Sequence, residues 1–350
     1  MALTVQIQKR YGNFLLDVDF TAEDGEVLAL LGASGCGKSA TLKCIAGVDR
    51  PDAGRIELDG RVLFDSEKGI SLPPQQRRAG FLFQSCALFP NMTVEKNIAA
   101  CLGRLDRRKR RERTAELLAL LRLEGQRGLY PRQLSGGQQQ RAALARILAA
   151  EPRALLLDEP FSALDSFLKW SLEQELREVL DRFPGPAVWV SHDRGEVFRN
   201  CPRVCVLDAG RSSPVTSMAE LTANPGTAAA ARLSGCKNVL PARPGPTPGL
   251  VEVPDWGLTL RAAAPWREGI SALGLRADRV HPAEPGEVNA FPCRVVRVTE
   301  DLSSALLALR PEGAPPGAPP LWMELPKNAA PPDRACFLAA IRPEDLMLLE

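Results

Sequence analysis

The chain has 350 residues, 45% of them hydrophobic and 25% charged, with a formal net charge of +2. That length allows two domains, and so small a net charge argues against a nucleic-acid footprint spread over the whole protein. Nine cysteines without a single C-x-x-C pair point to free thiols in a reducing compartment, not to a disulfide frame or a zinc site.

In chain order, the opening "MALTVQIQKRYG" has no apolar core behind a basic start, so no secretory signal is expected. No run reaches the roughly 18 apolar residues of a membrane span, so any membrane association is expected through a partner. Tyr11 precedes a glycine-rich loop, and an exposed aromatic there is placed to stack on adenine. "EVLALLG" (26–32) reads as an apolar strand and "KSATLKCIAG" (38–47) as a helix closed by Gly47.

Between them, "GASGCGKS" fits G-x-x-x-x-G-K-[ST] in the strand-to-helix context that this motif requires. Its residues are Gly32, Ala33, Ser34, Gly35, Cys36, Gly37, Lys38 and Ser39. The glycines let backbone N–H groups close around phosphate oxygens at a helix N-terminus. Lys38 supplies a charge to the β and γ phosphates, and Ser39 a hydroxyl to Mg²⁺.

"GRIELDG" (54–60) alternates like a half-buried strand, and Gln84 ends the strand-like "GFLFQ" with an amide able to ligate Mg²⁺ or water. The basic run "RLDRRKRRER" (104–113) reads as the solvated face of a helix. A further helix is predicted from Gly136 to Ala149, with Leu144, Ile147 and Leu148 on one face. Ser135 is its natural N-cap, Gly136 and Gly137 leave the backbone bare, and Gln138 follows, so this is a second anion-binding helix mouth. One chain carries one phosphate loop, so the second mouth is expected to serve the nucleotide of another copy, in a two-fold dimer holding two ATP molecules.

"RALLLDEP" (153–160) is an apolar strand ending in two acids, Asp158 to hold Mg²⁺ and Glu159 to act as general base. "AVWVSHD" (187–193) is another, and His192 at its end is placed to touch the γ-phosphate and orient water. Past about residue 235 the composition changes. "LPARPGPTPG" (240–249) and a series of short strand-like runs predict a small all-β barrel or sandwich. "LRADRV" (275–280) echoes "IRPEDL" (341–346), through chance or through two copies of one β unit. Lys237, Arg276 and Arg342 stand near turns, where basic residues either hold a tetrahedral oxyanion or are ordinary surface charges.

Together these motifs resemble the ATP-binding cassette ATPases over residues 1–235. The resemblance implies an α/β nucleotide-binding domain of P-loop NTPase type, a mixed sheet with a helical subdomain. It makes Tyr11 the adenine-stacking aromatic, Gln84 the Q-loop residue, "LSGGQ" (134–138) the signature, Asp158 and Glu159 the Walker B pair, "SALD" (162–165) the D-loop and His192 the switch histidine. Ala40 departs from the family, which usually carries Thr or Ser there against the α-phosphate. The departure is expected to weaken nucleotide binding modestly, with Thr41 placed to compensate.

Residues 60–98, including "LPPQQR", are similar to the molybdate-import ATPases, and 236–350 to the OB-like molybdate/tungstate-binding (MOP/TOBE-type) domain that follows them; sulfate-import ATPases share the layout. The implied function is the ATP-hydrolysing subunit of an oxyanion importer, for molybdate first and sulfate or tungstate as alternatives. Its cofactors are ATP and Mg²⁺. Its partners are a second copy, membrane permease subunits engaging residues 85–97 and, indirectly, an extracytoplasmic oxyanion-binding protein, with no nucleic acid. Its place is the cytoplasmic face of the inner membrane. The alternative from another class, a soluble cassette ATPase on ribosomes or DNA, lacks its usual second cassette or coiled-coil insertion here.

Overall fold

The computed structural model describes residues 2–83, 85–103, 105–161, 166–284, 286–327 and 336–350. Gln84 and the "SALD" residues 162–165 lie outside them. The chain divides into two compact units, residues 1–218 and 219–350.

The first unit opens with two antiparallel strands, β1 (Leu3–Tyr11) and β2 (Phe14–Ala22), then β3 (Val27–Leu31) and helix α1 (Lys38–Ala46). β1 buries Leu3, Val5 and Ile7 and exposes the residues between, the period-two pattern of a strand wet on one face. β4 (Ala53–Leu58), β5 (Arg61–Asp65) and β6 (Ile70–Ser71) extend that antiparallel layer. A single-turn helix, α2 (Pro74–Arg77), leads into β7 (Ala79–Leu82); Pro74 suits its first turn because the missing N–H has no helical partner there.

The helices α3 (Val94–Ala99), α4 (Arg107–Leu120) and α5 (Gly136–Ala149) pack on one another. On α4, Thr114, Leu117 and Leu118 are buried, whereas Arg107, Arg108, Lys109 and Arg111 face solvent. Then come β8 (Ala154–Asp158), α6 (Ser166–Leu180), β9 (Ala187–Val190), α7 (Arg194–Asn200), β10 (Arg203–Asp208), β11 (Arg211–Ser212) and β12 (Thr216–Ser217). The sheet runs β6-β5-β4-β1-β2-β11-β10-β3-β9-β8-β7, with β12 also on β10. It is parallel from β10 to β7 and antiparallel from β6 to β2. β8 and β9 are buried along their whole length, which is why they read as unbroken apolar runs.

The second unit begins earlier than the composition shift near residue 235 suggested. α8 (Met218–Ala223) spans the division, and α9 (Ala228–Leu233) belongs to the β-rich unit because Ala231 packs with Cys236, Ala272 and Leu349. The strands are β13 (Asn238–Pro241), β14 (Arg243–Pro244), β15 (Leu250–Val253), β16 (Leu258–Arg261), β17 (Ala272–Leu275), β18 (Val280–Pro282), β19 (Phe291–Glu300), β20 (Ser304–Pro311), β21 (Leu321–Pro326), β22 (Phe337–Ile341) and β23 (Met347–Leu349). They form three sheets around one core that includes Val253, Trp256, Leu273, Leu307, Met323 and Ile341.

The sequence echo has a structural counterpart. Arg276 and Arg342 adopt nearly the same backbone conformation (φ −75°, ψ 141° and φ −69°, ψ 141°), each before a 3₁₀ turn that leads into a short strand. Within the second unit the two echoed segments exchange partners: β17 pairs with β23, and β18 with β22.

Two of the three basic residues singled out in this unit are engaged by protein. Lys237 Nζ donates to Glu324 Oε2 at 2.8 Å, and Arg276 donates to the Thr222 carbonyl and to the carbonyl and hydroxyl of Ser234. Those bonds tie α8 and α9 to β17 and leave Arg342, which is exposed, without two cationic companions for an oxyanion.

Candidate functional site

The parallel strands β3, β8 and β9 bring the expected phosphate loop, acids and histidine to their carboxyl ends. Such ends are where α/β sheets build sites. The loop after β3 turns through left-handed backbone at Gly35 (φ 80°) and Gly37 (φ 109°), conformations that favour glycine. Gly32 is fixed by space, since a Cβ there would lie 2.3 Å from the Leu207 carbonyl oxygen. Ala33, Ser34 and Gly35 form the exposed rim, and Cys36 turns inward.

Lys38 is 6% exposed, and its ammonium donates to the carbonyls of Gly32 and Ala33 at 2.8 Å each. It makes no ion pair within salt-bridge distance among the described residues, so a buried cation closes the loop on itself, with Asp158 near enough to feel its charge. Ser39 Oγ, one residue on, donates to Asp158 Oδ1 at 2.8 Å. Burial pushes the Asp158 carboxyl above the usual carboxylate range, against the pull of that hydrogen bond.

Glu159 follows in left-handed backbone (φ 48°), its N–H donating to the Val190 carbonyl at 2.9 Å across to β9. Its Oε1 lies 3.2 Å from His192 Nδ1, and the His192 side chain is 64% exposed. A hydroxyl and a carboxylate that meet, beside an acid paired to an accessible imidazole, make a donor set that fits Mg²⁺ and a phosphate chain. The bare loop around Lys38 fits the phosphates themselves.

Tyr11 ends β1 with 38% of its surface exposed, its hydroxyl donating to Asp49 and Lys9 Nζ 5.6 Å from the ring centre. Burial and Asp49 raise its pKa. Ala40 packs half-buried against the core. Thr41 does not compensate for it in the way expected: it is fully buried, and its hydroxyl donates back to the Gly37 carbonyl at 3.0 Å.

The second helix mouth forms as α5. Ser135 Oγ accepts from Gln138 N–H at 3.3 Å while Gln138 Oε1 accepts from Ser135 N–H at 3.0 Å, a reciprocal cap. Ser135 and Gly136 are exposed; Gly137 is buried, and a Cβ there would lie 2.8 Å from Leu172 Cδ1 on α6. Among the described residues, no hydrogen bond or ion pair links 135–138 to the phosphate loop.

One group of residues escaped the sequence reading. Lys169 on α6 pairs with Asp193 and lies 3.1 Å from Glu196 Oε2; Glu196 also accepts from Trp189 Nε1 at 2.8 Å. This network holds the loop that carries His192. Its legible trace is the D-x-x-E spacing of Asp193 and Glu196, where Asp193 Oδ1 caps the Glu196 N–H at 3.2 Å.

Residues 15–162 match the family described as ABC transporter. The sulfate/thiosulfate import ATP-binding protein CysA of Synechococcus elongatus is 43% identical over 240 residues, 67% of this chain and 68% of that protein. CysA 2 of Chromobacterium violaceum is 40% identical over 314 residues, 88% of this chain and 83% of that protein. Among solved structures, the dimeric post-hydrolysis state of the ATP-binding cassette MJ0796 with ADP and phosphate aligns with a TM-score of 0.53 at 30% identity, over 62% of this chain and 98% of that one. With the phosphate loop, the Ser39–Asp158 pair and these similarities in hand, the chain belongs to the ABC transporter family, as an ATP-binding subunit of an importer that works with ATP and Mg²⁺.

Proposed function

We propose that this chain energises import of a sulfate-class oxyanion. It works as a pair of identical chains at the cytoplasmic face of the inner membrane, against permease subunits fed by an extracytoplasmic binding protein. Among the described residues no helix is long and apolar enough to cross a membrane, in keeping with docking through a partner. The sulfate reading follows the names of the relatives. The "LPPQQR" stretch that suggested molybdate has a structural use instead: Pro74 starts α2, and Arg77 holds the end of α1.

The observation that carries the catalytic reading is the convergence of Lys38, Ser39, Asp158, Glu159 and His192 at three adjacent strand ends. Lys38 and the loop N–H groups bind the β and γ phosphates of the substrate ATP. Ser39 and Asp158 hold Mg²⁺, which when bound neutralises charge developing on the transferred phosphoryl group. Glu159 takes the proton of the attacking water, and His192 orients that carboxylate through the 3.2 Å contact. Tyr11 stacks on the adenine, and Gln84 is assigned to Mg²⁺ and water. Ser135, Gly136, Gly137 and Gln138 present their helix mouth to the nucleotide held by the other copy, so phosphate release loosens the pair.

The test is uptake by the assembled transporter of radiolabelled sulfate, thiosulfate, molybdate and tungstate, alongside phosphate release. Sulfate or thiosulfate uptake that depends on Glu159 supports the proposal. Uptake of molybdate alone overturns the substrate, and phosphate release that survives Glu159→Gln overturns the mechanism.

A further inference from the structure

Arg77 is 2% exposed. Its Nε donates to the Leu72 carbonyl at 2.7 Å, and its Nη1 to the carbonyls of Cys44 and Ile45 at 2.7 and 2.9 Å. The last two belong to the final turn of α1, whose partial negative charge favours a cation. Gly47 seals this arrangement: a Cβ there would lie 2.5 Å from Arg77 Nε. Among the described residues Nη2 makes no hydrogen bond and no carboxylate pairs with the guanidinium. Burial alone pulls its pKa down.

Arg77 lines a cavity of about 220 Å³ together with Arg61, Arg78, Arg153 and Asp59. Arg78 sits in left-handed backbone (φ 52°), and its carbonyl accepts from the Arg153 N–H at 2.8 Å, so these two residues are adjacent across the chain. Asp59 pairs with Arg153. Arg61 and Arg78 are exposed and make no ion pair among the described residues. Glu151 lines the adjoining, larger cavity with Arg61 and Arg78 but pairs with neither. Among the described residues, four arginines and one acidic residue, Asp59, therefore line the cavity, and Arg77 is a buried group with a donor to spare. Like charges gathered this way repel, and a dianion among them gains charge-assisted bonds in a partly dry site.

We propose that this pocket is a binding site for a tetrahedral oxyanion carrying two negative charges, either free sulfate or phosphate or the phosphoryl end of a small ester. The inference does not depend on which ion the transporter carries. The pocket touches the opposite end of α1 from Lys38 and Ser39, through the residue that holds that end. Occupancy and nucleotide affinity are therefore coupled, and reciprocally so.

The test is calorimetric titration of sulfate into the full chain at constant ionic strength, with the phosphate loop filled by Mg²⁺ and a non-hydrolysable ATP analogue. Saturable binding at one site per chain is expected, with a dissociation constant of about 1 mM and displacement by inorganic phosphate. Glycerol phosphate is the third probe: tighter binding than the free ions identifies an ester ligand, weaker binding a free ion. Arg61→Ala combined with Arg78→Gly, which suits the positive φ, should weaken binding at least about tenfold and leave Tm without sulfate unchanged. Should that double variant fold poorly, Arg61→Glu, a surface change, is read instead. Absence of saturable binding up to about 50 mM sulfate, or undiminished affinity in a folded variant, overturns the proposal.

Discussion

Ser39 and Asp158 meet through a 2.8 Å hydrogen bond that joins the first turn of α1 to the end of β8. The carboxylate is 7% exposed and its pKa is raised by burial. Asp158→Asn keeps a partner for the hydroxyl and deletes the charge. The apparent Mg²⁺ affinity in ATP hydrolysis should then fall at least about tenfold with little change in Tm. In the parent protein, Mg²⁺ needs the ionised carboxylate. Its affinity should therefore fall, with proton uptake on release, as pH drops through the raised Asp158 value, at a higher pH than an ordinary carboxylate near about 4 would set. Mg²⁺ titrations across pH read both effects.

Glu159→Gln preserves shape and removes the base. Phosphate release should drop by about 10² to 10⁴-fold while nucleotide still binds, and with Mg-ATP the variant should elute as a dimer on size exclusion. Retention of near-parental turnover would reject Glu159 as the base.

Lys169 and Asp193 give a signed pH effect. Burial pushes the Asp193 carboxyl up, but the Lys169 ammonium and the N–H groups opening α7 outweigh it, so the carboxyl ends below its ordinary value. A depressed acid contributes stability that is present above its unfolded pKa, about 3.9, and lost as pH falls through the folded value. Lys169→Met should therefore flatten the acid limb of a Tm-against-pH curve. If the two curves stay parallel, the pair contributes nothing.

Gly47 ends α1 at φ 78°, with the Arg77 guanidinium where a side chain would go. Gly47→Ala should cost about 2 kcal/mol or more, from left-handed strain and displacement of a buried cation. Chemical denaturation measures it, and a loss under about 0.5 kcal/mol would mean that Arg77 moves aside freely.

Much of the first unit was legible because its signals are local. Gly37 and Gly47 bracket α1 as cap residues, Ser135 starts α5, and β8 and β9 announce themselves as apolar runs because parallel strands are covered on both faces. What escaped depends on residues distant in the chain. Nothing near Tyr11 names Asp49 as its partner. The "LPPQQR" stretch carries no local cue that the acceptors of Arg77 are Cys44 and Ile45, more than thirty residues earlier. The change of composition near residue 235 misjudged where the second unit begins, because α9 is built of alanines that carry no β signal yet pack on β17.

The crossed pairing of β17 with β23 and β18 with β22 sets an order of events at the ribosome. Neither strand–turn–strand unit can satisfy its own backbone, so β18 must wait until Ile341 has been made, and β17 stays unpaired on that edge until Leu349 has followed. During that interval the nascent unit exposes strand edges open to misplaced pairing, which makes translation pauses before this point a hazard and gives a holdase chaperone a defined window in which to act.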